Sequence, residues 1–126
     1  IVQRLDLRKK VTFFPPVRGA EVHRLFSEHD ILVLPSLTEI SPNVALEARA
    51  YGLPVLLTQE TGLSTSFTGG MLLKEMKTAE QIQSALLEVL TRYDTLAAQA
   101  AQPPPKRGWE KVADEYLTLF AALPPV

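Results

Sequence analysis

Apolar positions along the chain change their period several times, and each change marks an element. Val11, Thr12, Phe13 and Phe14 form a β-branched and aromatic run. Pro15 and Pro16 close it, because proline has no N–H for a ladder, and a short strand is predicted over residues 11–14. Val22, Leu25 and Phe26 then recur at helical spacing among charged residues, predicting an amphipathic helix over residues 20–28. Residues 31–34 are continuously apolar (Ile31, Leu32, Val33, Leu34), the pattern of a parallel strand covered on both faces. The next helix is predicted to begin with Ser41 at the N-cap and Pro42 at its first position, and to run to about Tyr51. Gly52 suits the left-handed residue past that helix, and Pro54 blocks its continuation.

Residues 54–57 read as a second buried strand, 58–70 as a Thr/Ser/Gly loop, and 71–73 as one more short strand. Gly69-Gly70 reads as a turn, since no helix start follows it directly. Thr78 and Gln81 make a capping box ahead of the apolar stripe Ile82, Leu86, Val89 and Leu90, predicting a helix over 79–93. An alanine-rich stretch then leads into Pro103, Pro104 and Pro105, read as a linker. Trp109, Val112, Ala113, Tyr116, Leu117 and Phe120 repeat at three- and four-residue steps, predicting a closing helix over 109–123 with Trp109 and Tyr116 in a core stripe. Uniformly apolar strands alternating with helices place the chain in the α/β class, with a Rossmann-like three-layer parallel sheet.

Composition narrows the function classes. The chain has 126 residues, 46% of them hydrophobic, enough for one core and one domain. A formal net charge of −1 gives no field to attract nucleic acid or an anionic membrane. The apolar runs are far shorter than the roughly 20 residues that span a bilayer. There is no cysteine, hence no disulfide framework, thiolate nucleophile or cysteine-based zinc site, and the cytosol is the expected compartment. His23 and His29 lie on or beside the first helix with no partner at ligand spacing and read as surface or capping residues. The first residue is Ile1, with no initiator methionine or signal segment, so the chain reads as a piece of a longer polypeptide.

Candidate chemistry gathers where the first buried strand opens into the second helix. In a doubly wound sheet, ligands bind outside the carboxyl ends of the strands. Glu39 stands just before an exposed helix N-terminus, whose free N–H groups and dipole favour an anion such as phosphate. An acid beside an anion site suits a ligand with an anionic middle and a hydroxyl-rich end, as in a sugar diphosphate. Glu47 lies among the apolar Val44, Ala45, Leu46, Ala48 and Ala50, about 7.5 Å along the axis from Pro42 at about 1.5 Å per residue, where its carboxylate can accept from both hydroxyls of a ribose. Read without that pattern, Glu39 is a solvated loop acid and Glu47 a helix-surface residue paired with Arg49 or a lysine.

The run Pro35-Ser36-Leu37-Thr38-Glu39-Ile40-Ser41-Pro42-Asn43-Val44-Ala45-Leu46-Glu47-Ala48-Arg49-Ala50-Tyr51-Gly52-Leu53-Pro54-Val55 closely resembles the donor-site signature of the group 1 (family 4) retaining glycosyltransferases. The flanks, residues 11–17, 30–36, 58–62 and 109–120, resemble the same family, so the likeness covers nearly the whole chain. It implies the C-terminal, donor-binding domain of an enzyme with the two-domain GT-B architecture, spanning residues 1–126, with the N-terminal acceptor domain and this domain's first strands lying outside the sequence. The resemblance implies that Glu39 contacts the transferred sugar and acts in catalysis, and that Glu47 binds the ribose hydroxyls. It further implies that the amides of Ser41, Asn43 and Val44, around Pro42, hold the diphosphate, and that Val17 and Arg18 approach the base. It implies no cofactor and no metal; the chain has no Asp-x-Asp pair, and a UDP-, GDP- or ADP-sugar is the expected donor.

Two departures accompany the likeness. Residues 13–17 lack the glycine that the family places before the valine, and the family's phosphate-binding arginine and lysine belong to an earlier strand and turn outside this sequence. The expected partners are therefore the donor, the absent acceptor domain and, across exposed sheet edges, a second copy. A peripheral membrane location is expected only through the absent domain. Two other readings stay open: a non-catalytic scaffold or regulatory nucleotide-binding module on the same fold, and a flavodoxin-like domain of another kind.

Overall fold

A computed structural model describes residues 1–103 and 108–124. Its elements run α1 (Ala20–Glu28), β1 (Leu32–Leu34), α2 (Asn43–Ala50), β2 (Val55–Thr58), a 3-10 turn (Thr65–Phe67), β3 (Met71–Lys74), α3 (Ala79–Thr91), α4 (Tyr93–Ala100) and α5 (Trp109–Ala121). The three strands form one parallel sheet in the order β1-β2-β3, with Val33 opposite Leu56 and Leu56 opposite Leu72.

Strand side chains alternate across the sheet, and here both faces are apolar because both are covered. Leu32, Leu34, Val55, Leu57, Met71 and Leu73 pack with Val22 and Phe26 of α1 and Ala45 and Ala48 of α2. Ile31, Val33, Leu56 and Leu72 pack on the opposite side with Ile82, Ala85 and Val89 of α3 and Leu96 of α4. The result is the expected α/β arrangement, a parallel sheet between two helix layers. Small residues on α2 let its axis come close: Ala45 and Ala48 are both fully buried. The capping box forms as read, with the Gln81 N–H donating to Thr78 Oγ1 (3.3 Å) and the Thr78 N–H donating to Gln81 Oε1 (3.1 Å). Gly52, at φ 80°, ends the α2 turn in the left-handed region.

Four expectations are corrected. Residues 11–14 are not a strand: the Val11 N–H turns back to the Leu7 carbonyl (3.0 Å), and no described strand lies alongside to complete a ladder. Phe13 is left exposed, while Phe14 lines an apolar recess of about 230 Å³ beside β1. The helix predicted over 79–93 ends at Thr91, and a second helix, α4, starts at Tyr93. Alanine is the strongest helix former, and burial of Leu96 and Ala100 holds the alanine-rich segment as a helix instead of a linker. The triple proline is only partly seen: Pro103 is exposed coil, and Pro104 and Pro105 fall outside the described residues. Finally, α5 forms but buries no residue. Trp109 is 88% exposed and Tyr116 stacks on Phe120 at the helix surface, with ring centroids 6.1 Å apart. An apolar stripe becomes core only where another element faces it, and among the described residues none covers this one. Nor is any helix among the described residues long and apolar enough to cross a membrane.

One buried cation joins the two helix layers. Arg49, in the last turn of α2, is only 6% exposed. Its Nε–H donates to the Gly69 carbonyl at 2.5 Å and its Nη2 reaches the Gln102 carbonyl at 3.5 Å. Gly70 follows at φ 77°, so close to α4 that an added Cβ would lie 2.6 Å from the Ala100 backbone. The Gly69-Gly70 pair is thus the predicted turn, and it serves as the seam between α2 and α4. Arg49→Ala strips a buried donor from two carbonyls and opens a void, and is expected to cost about 2–4 kcal/mol. Arg49→Met, which refills the volume without a charge, is expected to recover part of that loss. Denaturant midpoints of the two variants check the ordering.

Candidate functional site

The end of β1 opens into the loop that carries Glu39, and backbone bonds fix that loop. The Glu39 N–H donates to the Glu60 carbonyl (2.8 Å) and the Gly62 N–H donates to the Glu39 carbonyl (2.9 Å), making an isolated parallel bridge between Glu39 and Thr61. The loops after β1 and β2 are therefore sewn together at the carboxyl ends of their strands. Ser36 Oγ–H donates to Glu39 Oε1 at 2.5 Å, orienting a carboxylate whose other oxygen has no partner among the described residues. Ile40, the next residue, is 88% exposed, so the chain beyond Glu39 stands out into solvent.

The start of α2 differs from the predicted one. Pro42 adopts φ −76°, ψ 74°, close to an inverse γ-turn, and the Asn43 N–H donates to the Ser41 carbonyl at 2.8 Å. Pro42 is thus the N-cap, the helix begins at Asn43, and the Ser41 hydroxyl points to Asn43 Oδ1 (3.4 Å) instead of capping. The physical reason is local: a proline held at ψ 74° is outside the helical well, so the first helical residue moves one place on. Of the three amides assigned to an anion, that of Asn43 is already engaged. The Ser41 and Val44 N–H groups meet no acceptor among the described residues and remain available.

Glu47 lies one turn further along α2, its side chain exposed and without a hydrogen-bond partner among the described residues. The pairing with Arg49 does not occur, because residues two positions apart on a helix point away from each other and Arg49 turns inward to Gly69. Glu47 instead lines a cavity of about 240 Å³ between α1 and α2, with Gly19, Val22, His23, Phe26 and Tyr51. Val17 and Arg18 lie in the coil leading to Gly19, Val17 half-buried and Arg18 exposed. Glu39, the α2 start and Glu47 therefore share one end of the sheet and one helix, while Val17 and Arg18 approach only through the segment that ends in Gly19.

Further features surround these elements. His23 and Tyr51 pack against each other on the wall of the cavity, and pairing residues so far apart in sequence is a tertiary event. His29 does cap α1, its Nδ1 lying 2.7 Å from the Leu25 carbonyl. At the ends of β2 and β3, a polar recess of about 290 Å³ is lined by Gln59, Lys74, Glu75, Gln81 and Glu88 among others. The hydrogen bond from the Lys74 ammonium holds the Glu88 carboxyl below the usual carboxylate range, and Lys77 does the same for Glu75. Both pairs are solvated, so they add little to stability. Among the described residues, no group of three or more His, Cys, Asp or Glu converges to hold a metal ion.

Gly62 is the residue that lets the Glu39 loop sit where it does. A Cβ there would fall 2.4 Å from the Ile40 carbonyl oxygen. Gly62→Ala must push that backbone away, and a cost of about 1–3 kcal/mol is expected, a drop of roughly 4–12 °C in Tm for a domain of this size. Gly108→Ala, where nothing lies within 4 Å and only the N-cap of the exposed α5 is touched, serves as the reference and should lower Tm far less. Equal Tm values for the two variants would contradict the steric account.

Comparison with known proteins bears on the family and the fold. The family model described as glycosyl transferases group 1 matches residues 1–92. A D-inositol 3-phosphate glycosyltransferase of Corynebacterium urealyticum is 29% identical over 98% of this chain and 30% of its own length. Its counterpart from an Arthrobacter species is 35% identical over 82% of this chain and 26% of its own. Among solved structures, sucrose-phosphate synthase from Thermosynechococcus elongatus superposes with a TM-score of 0.69 and 26% identity, over 97% of this chain and 33% of that one. The chain thus spans about a third or less of the proteins it matches. By the family match and by the fold that accompanies it, the chain belongs to the group 1 glycosyl transferases.

Proposed function

We propose that this chain is the donor-binding part of a retaining glycosyltransferase of GT-B architecture, which moves a sugar from a nucleoside diphosphate sugar to an acceptor hydroxyl. The observation that carries the reading is the placement of two carboxylates, Glu39 and Glu47, that meet no cation among the described residues, on either side of a helix start whose Ser41 and Val44 N–H groups meet no acceptor there. An anion-binding point between two hydroxyl acceptors matches a sugar diphosphate nucleoside in order of groups. In this assignment the Ser41 and Val44 amides and the α2 dipole hold the diphosphate. Glu39 accepts from hydroxyls of the transferred sugar, and Glu47 accepts from the ribose. Charge that builds on the leaving diphosphate as the glycosidic bond breaks is met by N–H groups already in place, which lowers the barrier without reorganisation. Cations, the acceptor site and a second domain are assigned to parts of the protein outside this sequence, which fits the one-third coverage of its relatives.

A non-catalytic nucleotide-binding module would use the same helix start but has no need of Glu39. For the acceptor, the name shared by the relatives supplies the class we propose to try first, a cyclic polyol phosphate such as D-inositol 3-phosphate.

Calorimetric titration with UDP, GDP and ADP and their glucose and mannose conjugates tests the reading. Binding in the millimolar range or tighter is expected. Glu47→Ala should weaken it about tenfold to a hundredfold, the worth of one or two charge-assisted hydrogen bonds. The Glu47 side chain makes no hydrogen bond among the described residues, so the variant should fold as the parent does. Absence of binding by the folded chain, or equal binding by the variant, would contradict the proposal.

A further inference from the structure

The donor reading assigns Glu47 to a ribose but leaves open what lies beyond it. Three rings form a continuous line there. Phe26 is 8% exposed and belongs to the core of the α1 and α2 face. Tyr51 packs on it with centroids 5.5 Å apart and rings tilted by 34°, and His23 packs on Tyr51 at 5.5 Å and 45°. The backbone under Tyr51 is pinned as well, its N–H donating to the Glu47 and Ala48 carbonyls. A buried phenylalanine thus anchors a tyrosine, which anchors an exposed histidine, and the ring set is held before any ligand arrives.

All three rings line the cavity into which Glu47 also opens, and Gly19 stands at its rim. Gly19 has φ 57°, and an added Cβ there would touch nothing within 4 Å, so that side is open space. At about 240 Å³ the cavity is smaller than pockets that enclose a whole drug-sized ligand, so it takes one end of a nucleotide sugar. Which end follows from the rings. Residues 35–42, around Glu39, contain no aromatic side chain, whereas the Glu47 side presents three. A flat base gains from stacking on an aromatic face, and His23 and Tyr51 carry polar atoms at the ring edge that can meet its hydrogen-bonding groups.

We propose that His23, backed by Tyr51, is a specificity-determining residue for the nucleoside: its ring forms the wall on which the base lies when Glu47 holds the ribose. The proposal rests on the donor-site reading and adds to it the residue that discriminates the base. The carboxylate sets the distance of the sugar ring from α2, and the imidazole sets what can lie flat beside it.

The test uses the whole chain with UDP, GDP, ADP and, as a ligand without a nucleoside, inorganic pyrophosphate. His23→Ala is expected to weaken the best-bound nucleoside diphosphate by about tenfold, the usual scale for loss of one base-stacking ring, with pyrophosphate affinity unchanged. His23→Phe, which keeps the face and removes the nitrogens, should restore most of the affinity while changing the ranking among the three nucleotides. His23 is exposed, so neither change threatens folding. If His23→Ala binds all three like the parent while Glu47→Ala loses them, the base lies elsewhere and the proposal falls with the donor reading intact. It falls in the same way if His23→Ala weakens pyrophosphate equally. If neither the parent nor any variant binds a nucleoside diphosphate, the donor reading falls and takes the proposal with it.

Discussion

The structure depends on the burial of β2 between two helix layers. Val55, Leu56 and Leu57 have no exposed surface, and they alternate between the two faces, so one strand of four residues supplies the middle of both cores. A parallel strand placed this way must pair on both edges, since its N–H and C=O groups have no route to water, and β1 and β3 satisfy that need. Fixing β2 fixes the carboxyl ends of β1 and β3 beside it. The loops that follow then fall at one rim of the sheet, where Glu39, Glu60 and Gly62 bond to one another. Site geometry is in this sense a consequence of sheet register.

α2 carries that geometry outward. Its inner face is alanine, which lets the helix lie close to β2, and its outer face holds Glu47. Arg49 adds a tie of a different kind, a guanidinium drawn inward to backbone carbonyls near β3 and beyond α4. A charged residue taken out of water must have its donors met, and meeting them joins elements from opposite faces of the sheet. The helix that presents the candidate site is therefore held by packing from below and by hydrogen bonds at its C-terminal end, while at its N-terminal end the Ser41 and Val44 N–H groups meet no acceptor among the described residues.

Much of this was legible in the sequence, and the reasons divide cleanly. α1 was readable because its apolar positions, Val22 and Phe26, face a core that exists. β1 and β2 were readable because strands covered on both faces carry no polar interruption. Glu39 and Glu47 stood out by spacing and by the apolar neighbours of Glu47. What the sequence did not disclose depends on partners distant in the chain. Residues 11–14 have strand composition without a described neighbour to pair with, and α5 has a core-like stripe that no described element covers. Leu96 makes α4 a helix through a contact with the α3 side of the core, which the alanine-rich run does not encode by itself. The displaced start of α2 follows from the ψ of a single proline, Pro42, and the Arg49 seam and the His23–Tyr51 wall are contacts across the fold.

The central claim is that a sugar nucleotide binds at the carboxyl ends of the strands, around the start of α2. The most direct measurement is an amide chemical-shift map of the isotope-labelled chain titrated with UDP-glucose and GDP-mannose. The account predicts the largest shifts at Ser41 and Val44, whose N–H groups are free among the described residues, with further shifts at Glu39, Gly62 and Glu47 and little change in α3 or α5. Shifts centred on the recess between Lys74 and Glu88, or spread over the exposed face of α5 with Ser41 and Val44 unmoved, would contradict it.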